Sequence, residues 1–111
     1  MSDQILCVLA TAPVQEAPQL ARALVTERLA ACVNMLPAVR SIYRWQGEIC
    51  DDQEALLLIK TTAERFAALR DRLVELHSYD VPEVIALPVQ GGNAPYLSWV
   101  RESCSAAGDE P

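Results

Sequence analysis

The chain has 111 residues, of which 51% are hydrophobic, and its 15 acidic and 9 basic side chains give a net charge of −6. This length predicts one domain, placed at residues 1–104, with residues 105–111 as a disordered tail. The acidic balance argues against nucleic acid and anionic membranes as partners, because both need clustered Lys and Arg side chains. Neither a positively charged leader nor a long apolar run occurs, so we expect a cytoplasmic protein.

The first quarter of the chain predicts a strand and then a helix. Residues 5–12 form an apolar run that is too short for a helix and is followed by Pro13, which predicts a central strand buried on both faces. Across residues 14–31, apolar side chains recur every three or four positions, which is the spacing of an amphipathic helix. Pro18 fits the first turn of this helix, where a missing N–H costs least.

Residues 32–61 predict one long antiparallel β-ribbon. Two extended runs meet around residues 45–48, and each has about 13 residues, roughly twice the usual strand length. Pro37 interrupts the first run and cannot donate to the ladder, which predicts a bulge or an edge position. A ribbon this long exceeds the cover that the helices of a small chain provide, so part of it must be covered elsewhere.

A second helix and a last main strand follow the ribbon. Thr61 and Glu64 have the Thr-x-x-Glu form of a capping box, and the helix is predicted to run to about His77. Asp and Pro oppose helix continuation over residues 78–82, which predicts a loop. Residues 83–89 are again apolar and predict the strand.

A short third helix completes the pattern. Asn93 can cap it, Pro95 suits its first turn, and Tyr96, Trp99 and Val100 give it one apolar side. The order of elements is then β-α-β-β-α-β followed by this helix. That order predicts an α+β, ferredoxin-like fold, in which both long helices lie on one face of a four-stranded antiparallel sheet.

The other face of such a sheet is bare, and in a monomer it should be polar at alternate positions. Instead, consecutive apolar residues occupy three of the predicted strands, at residues 5–10, 55–59 and 84–87. A large apolar face exposed to water is an association site. The sequence therefore predicts an obligate homo-oligomer with its sheets turned inward and the ribbon reaching onto a neighbour.

The four cysteines are Cys7, Cys32, Cys50 and Cys104. Their spacing matches no C-x-x-C metal motif, and they are too sparse for a disulfide scaffold. We expect free thiols that mostly act as small packed side chains.

Six short strings occur in order over about residues 5–102. They are Thr11-Ala12-Pro13, Arg28-Leu29-Ala30-Ala31-Cys32-Val33-Asn34, Ser41-Ile42-Tyr43-Arg44-Trp45-Gln46-Gly47, Lys60-Thr61-Thr62, Tyr79-Asp80-Val81-Pro82-Glu83 and Tyr96-Leu97-Ser98-Trp99. Together they resemble the CutA divalent-cation tolerance family. The resemblance implies a trimer of ferredoxin-like subunits with PII-like architecture and exchanged ribbons. It also implies a link to copper and other divalent cations, and no established enzymatic activity.

His77 and Cys32 are the candidate metal ligands. His77 is the only histidine, and imidazole is a natural ligand for copper or zinc. Family members credited with copper binding have histidine here, often as a pair before Pro-Tyr, and a cysteine can precede Thr-Ala-Pro. In this chain Ser78 replaces the second histidine and Ala10 replaces that cysteine, while Cys32 matches the family's Ala-Ala-Cys. Neither residue need bind a metal. In the alternative interpretation, His77 only favours its cationic form beside the carbonyl groups at the C-terminus of a helix, and Cys32 is only a small packed residue.

A polar and aromatic set is the second candidate site. These side chains could line an inter-subunit cleft for a small anion or a cation. Alternatively they are interface residues, with Tyr43 and Trp45 anchoring the ribbon and with Lys60 and Glu83 forming an ion pair. The set comprises Tyr43, Arg44, Trp45, Lys60, Tyr79, Glu83 and Tyr96.

The ribbon also carries four acidic side chains whose spacing matches no calcium loop, which predicts a solvated face. They are Glu48, Asp51, Asp52 and Glu54.

Three functions fit these observations. The leading hypothesis is a non-enzymatic homotrimer that binds copper or another divalent cation and serves metal homeostasis. The second is a PII-like sensor that takes a small metabolite or anion in its inter-subunit clefts and signals to an unidentified protein partner. The third is an enzyme using Lys60, Tyr96 and Glu83, although no motif of hydrolases or phosphate-binding loops occurs.

Overall fold

The computed structural model describes residues 4–105. The tail predicted from residue 105 lies outside these residues, except for Ser105. The predicted order of elements, βαββαβ with a short final helix, is confirmed. The elements are β1 (Ile5–Ala12), α1 (Ala17–Thr26), β2 (Cys32–Trp45), β3 (Glu48–Thr62), α2 (Ala63–Leu76), β4 (Val84–Pro88) and α3 (Ala94–Cys104).

The four strands form one antiparallel sheet in the order β2-β3-β1-β4. The long ribbon is confirmed, since β2 has 14 residues and β3 has 15. Its two-residue turn has positive φ at Gln46 and Gly47, 51° and 82°, as a type I′ hairpin requires. Strand β1 ends where Ala12 pairs with Ala55, so beyond that point the ribbon continues without β1 beside it.

The main core lies between the sheet and the two long helices. On one sheet face, Val8, Leu57 and Ile59 are fully buried and pack with Leu24 of α1 and Leu73 of α2. Alternate residues of a strand point to the same face, so this face collects every second side chain of β1 and β3. A smaller cluster beneath α3 joins its residues to Ile5 and Ala31; the α3 members are Val100 and Cys104.

The bulge predicted at Pro37 is confirmed. Leu36 pairs with Leu56 and Val39 pairs with Glu54, so two residues of β2 lie opposite Ala55 alone. The extra residue shifts the alternation of side chains along the rest of β2. As a result, the β2 residues on the same face as Glu54 are Val39, Ser41, Tyr43 and Trp45.

The bare apolar face is also confirmed. Leu9 lies between Leu58 and Ile85 on the side of the sheet away from α1 and α2. Ile85 is 50% exposed and Leu87 is 48% exposed, which is unusual for large aliphatic residues in a strand. The homo-oligomer that this face led us to expect stays a prediction.

Helix α1 ends earlier than the predicted residue 31. Arg28 follows the helix with φ 60°, and the N–H of Leu29 donates back to the Leu24 carbonyl at 2.9 Å. This is the geometry of a Schellman motif, in which the left-handed position is usually glycine. Arginine carries no such signal, so the spacing of apolar residues alone overestimated the length of the helix.

The capping prediction for α2 is wrong by one residue. Thr62 is the N-cap and accepts from the Arg65 N–H at 3.3 Å. The Thr61 hydroxyl instead donates to the Leu29 carbonyl at 2.6 Å. Threonine occupies both positions, so the sequence could not distinguish the cap from its buried neighbour.

The last two elements differ from their predictions in detail. Strand β4 is shorter than residues 83–89 at both ends. Asn93 precedes α3 as its N-cap residue but makes no side-chain capping hydrogen bond. Val100 is buried on the apolar side of α3, whereas Tyr96 and Trp99 are 41% and 43% exposed. Of the three side chains predicted for the apolar side of α3, only Val100 is therefore buried.

Candidate functional site

A cleft of about 560 Å³ lies where the ribbon extends beyond the end of β1. The loop between α2 and β4, residues 77–83, closes its other side. Because the bulge turns Tyr43 and Ser41 to the face of Glu54, ribbon and loop side chains meet in one space. Its lining is Thr11, Ser41, Ile42, Tyr43, Trp45, Glu54, Tyr79, Asp80, Val81 and Glu83.

Glu54 is the most buried carboxylate of this cleft. It is only 5% exposed, and its Oε2 accepts a 2.8 Å hydrogen bond from the Tyr79 hydroxyl. Burial and this bond to a carboxylate both raise the pKa of Tyr79, because each disfavours the phenolate. The prediction that the acidic ribbon residues form a solvated face is therefore wrong for Glu54.

A second phenol–carboxylate pair lies on the ribbon. The Tyr43 hydroxyl donates to Asp52 Oδ2 at 2.6 Å, and this bond raises the pKa of Tyr43 to about 12. On the opposite face of the ribbon, Arg40 binds both carboxylate oxygens of Asp51, at 2.8 and 2.7 Å. That guanidinium lowers the pKa of Asp51. The ribbon thus directs a cation to one face and the phenol of Tyr43 to the face of the cleft.

His77 holds the loop against β1. Its Nδ1 accepts the Tyr79 backbone N–H at 3.1 Å, so the ring proton lies on Nε2 and is donated to the Thr11 carbonyl at 2.8 Å. The ring is 8% exposed and contacts the Tyr79 ring, with 4.6 Å between centroids. Both ring nitrogens are occupied in this arrangement, so a metal could bind His77 only after one hydrogen bond broke.

Cys32 lies at the other end of the sheet. In the sheet, Cys32 of β2 pairs with Lys60 of β3, and Lys60 pairs with Cys7 of β1. The Sγ atom of Cys32 lies 3.5 Å from the Tyr96 hydroxyl. This contact and burial raise the pKa of Tyr96 to about 12. Thr11, which contacts His77, is four positions along β1 from Cys7, or roughly 13 Å. The structure therefore does not bring the two predicted metal ligands together.

The predicted inter-subunit set also divides between these two ends. Tyr43, Trp45, Tyr79 and Glu83 line the cleft, whereas Lys60 and Tyr96 lie near Cys32. Within one chain Lys60 and Glu83 do not form an ion pair, because Lys60 binds Asn34 and Glu83 lies at the far end of β4; a pair between subunits stays a prediction. Within one subunit, the same separation keeps Lys60 and Tyr96 away from Glu83, which the third hypothesis groups together.

The sequence interpretation missed several lining residues. Thr11, Ser41, Asp80 and Val81 belong to the cleft, and the sequence pattern does not predict them as site residues. For Glu54 a signal existed, since it directly precedes the apolar residues 55–59 and an acid at that boundary lies at the edge of a core. Within residues 4–105, no three His, Cys, Asp or Glu side chains converge closely enough to hold a metal. No helix in this range is long and apolar enough to cross a membrane.

The free thiols expected for the four cysteines are confirmed. Cys104 is buried, and its burial raises the pKa of its thiol. Its Sγ lies 3.8 Å from the Thr61 hydroxyl, inside the small cluster under α3. This thiol is a packing residue, as its type predicts.

This chain is similar to a known protein family, to several known sequences and to solved structures. A family model described as CutA1 divalent ion tolerance protein matches residues 5–103. The divalent-cation tolerance protein CutA of Thermus thermophilus is 57% identical over 97 residues, 86% of this chain and 94% of that protein. The crystal structure of CutA1 from Oryza sativa matches with a TM-score of 0.90 at 42% identity, covering 95% of this chain and 97% of that chain.

Some relatives are longer than this chain. Human Protein CutA is 50% identical over 93 residues, which cover 84% of this chain but 52% of that protein. The chain thus spans about half the length of several relatives that it matches, and nearly the whole of the bacterial one.

Proposed function

Because this chain belongs to the CutA1 divalent ion tolerance protein family, we propose that it serves metal-ion tolerance by binding a divalent cation, without catalysing a reaction. One observation supports the proposal above the others. The cleft is lined by the carboxylates of Glu54, Asp80 and Glu83, and by no Lys or Arg. Carboxylate and hydroxyl oxygens in a space without cationic side chains favour a positively charged ligand.

The ion site needs ligands from a second subunit. Within residues 4–105 of one chain, no three metal-binding side chains converge. The bare face with Leu9, Leu58 and Ile85 supports a homo-oligomer, and we propose the trimer that the family resemblance implies. Four free thiols fit a reducing compartment, which supports the cytoplasm as its location.

Copper is the first ion to test. Cys32 offers a soft thiol ligand on the open sheet face, and His77 offers imidazole after loss of one hydrogen bond. The carboxylates of the cleft offer oxygen ligands that other divalent cations accept. These two ends of the sheet predict different ion preferences, so substitutions at each end identify the site used.

Calorimetric titration of Cu²⁺ and Zn²⁺ into the intact protein tests the proposal. We expect binding that weakens at least tenfold, about 1.4 kcal/mol, in Glu83→Gln if the cleft holds the ion, or in Cys32→Ser if the other end does. His77→Ala tests the imidazole as a ligand, which could bind the ion only after one of its two hydrogen bonds broke. Absence of binding to the intact protein, or equal affinity in all three variants, would contradict the proposal.

The size of the cleft supports a second candidate function. A volume of about 560 Å³ exceeds what one metal ion needs and lies in the range of small-molecule pockets. The alternative is a PII-like sensor trimer that takes a metabolite in this cleft and reports to a protein partner. A thermal-shift screen against nucleotides, organic acids and amines tests it, and the absence of any stabilising compound would count against it.

A further inference from the structure

We propose that the cleft binds an organic cation, meaning an amine or guanidinium group carried on an apolar body. The inference rests on the sensor function only in taking this cleft as a ligand site, and it needs no metal ion. It goes further by assigning the sign of the ligand's charge and the groups that recognise it. Three features of the lining lead to it: an unpaired carboxylate oxygen of Glu54 that is open to the cleft, aromatic walls, and the absence of lining cations.

The buried carboxylate is that of Glu54. Its Oε2 accepts the Tyr79 hydroxyl, but no donor among the described residues bonds to Oε1. Every fully buried side-chain nitrogen or oxygen in residues 4–105 has a hydrogen-bond partner. Because Oε1 has none, it is not fully buried, and we infer that it faces the cleft that Glu54 lines. Glu54 is only 5% exposed, and no Lys or Arg lines the cleft as an ionic partner for it. A cationic group in the cleft would supply that partner.

The aromatic walls favour an organic cation over a bare ion. Tyr43, Trp45 and Tyr79 line the same space, and the face of an aromatic ring attracts ammonium and guanidinium groups. Ile42 and Val81 add apolar surface for the body of the ligand. No three carboxylates of the lining lie close enough together to hold one metal ion. The lining therefore suits an extended molecule better than a single metal ion.

The lining also disfavours anions. Asp80 and Glu83 are exposed carboxylates at the loop side, and no Lys or Arg lines the cleft to offset them. Arg40, which belongs to the ribbon, is bound to Asp51 on its other face. An anionic ligand would therefore meet repulsion from both the ribbon and the loop. This disagrees with the anionic ligand that the sequence left open for the cleft.

Calorimetry in buffer with EDTA tests the inference with two compounds of similar length. Agmatine carries a guanidinium and an amine on an apolar chain, and adipate carries two carboxylates. We expect agmatine to bind the intact protein and adipate to show no binding. A capped Gly-Arg-Gly peptide distinguishes the sources of the cation, because it binds only if the cleft accepts the side chain of a protein partner.

Variants connect the binding to the cleft. Glu54→Gln keeps an acceptor for Tyr79 but loses the charge, and Glu83→Gln removes an exposed lining charge. We expect each to weaken agmatine binding at least tenfold. Asp71→Asn removes the same charge from the outer surface of α2, where the side chain is 71% exposed, and should leave the affinity unchanged. Equal losses in all three variants would show non-specific attraction to an acidic protein and would overturn the inference.

Two further outcomes separate this inference from the sensor function. Binding of adipate without agmatine would overturn the charge assignment and leave the sensor function standing. Binding of none of the three compounds would overturn the organic-cation site and would count against the sensor function as well. Binding of agmatine with full affinity in both Glu54→Gln and Glu83→Gln would place the cation elsewhere and contradict the proposal.

Discussion

The Tyr79 hydroxyl donates a 2.8 Å hydrogen bond to Oε2 of Glu54, and this contact joins the loop after α2 to the ribbon. Glu54 is the first residue of β3 beyond the end of β1, so no strand covers it on that side. His77 anchors the same loop to the Thr11 carbonyl. These two contacts bury Glu54 and form the end wall of the cleft.

Removing the Tyr79 hydroxyl should destabilise the protein. In Tyr79→Phe, Glu54 Oε2 loses its donor while it stays buried, so we expect the free energy of unfolding to fall by about 1–3 kcal/mol. Urea denaturation measures the change. Glu54→Gln is the comparison, since its amide oxygen still accepts from Tyr79, and its loss should be smaller. A Tyr79→Phe variant as stable as the parent protein would show that the bond contributes nothing.

The three tyrosines predict a loss of stability at high pH. The pKa is raised in each of them, to about 12 in Tyr43 and Tyr96, from the ordinary value of 10.0. The folded protein therefore holds its phenolic protons more tightly than the unfolded chain. The free energy of unfolding keeps its full contribution below pH 10 and loses it as the pH rises from 10 through 12.

Ultraviolet absorbance of tyrosinate checks this directly. We expect the folded protein to ionise its tyrosines at higher pH than the same protein in urea. Urea denaturation at a series of alkaline pH values should then give a falling free energy of unfolding. Titration curves that coincide in the folded and denatured protein would contradict the prediction.

Arg28 offers a test of backbone strain against side-chain contacts. Its guanidinium donates to the Ser105 and Glu102 carbonyls at 3.0 and 3.1 Å, while its backbone has φ 60°. Both Arg28→Ala and Arg28→Gly lose the side-chain bonds, but only glycine adopts this conformation without strain. We expect Arg28→Gly to be more stable than Arg28→Ala by about 1 kcal/mol in urea denaturation. The reverse order would contradict the left-handed geometry.

The capping register of α2 is testable at two adjacent threonines. Thr62→Ala removes the N-cap and should cost about 1 kcal/mol of stability. Thr61→Val removes the donor to the buried Leu29 carbonyl and should cost about 1–3 kcal/mol. Thr61→Ser keeps the hydroxyl and serves as the control. If Thr61→Val cost no more than Thr61→Ser, the hydroxyl would have no role in stability.

The proposed oligomer can be tested by placing a charge on the bare sheet face. We expect Ile85→Lys to shift the sedimentation coefficient from that of a trimer toward a smaller species, because the charge would be buried between sheets. Val74→Lys is the matched control, since Val74 is 46% exposed but lies on α2. A stable folded monomer of the intact protein at micromolar concentration would contradict the oligomer itself.

Much of the fold could be predicted because its signals are local. Pro37 marks the bulge, the apolar run at residues 55–59 marks a strand with two apolar faces, and leucine spacing marks both long helices. The errors lie at helix ends, where the deciding interaction is distant in sequence. Arg28 adopts a left-handed conformation while its guanidinium binds the C-terminal end of α3, and nothing in its neighbourhood along the chain predicts that.

The site was harder to predict than the fold. Aromatic residues of the ribbon and Tyr79 were identified, but Glu54 was grouped with three solvated acids that differ from it only in position. Its burial depends on where β1 ends and on where a loop 25 positions away folds back. Lys60 and Tyr96 were predicted to line the same inter-subunit cleft, and within one chain the length of the sheet separates them from Tyr43 and Tyr79.

The bulge at Pro37 and Ala38 places one extra residue of β2 opposite Ala55. Deleting one of these two residues would leave a regular ladder in which Val39 still pairs with Glu54 and Ser41 still pairs with Asp52. Ser41, Tyr43 and Trp45 would then keep their places on the face of Glu54. Relatives of this protein could therefore lose a residue at this point of the ribbon and still keep the same cleft lining.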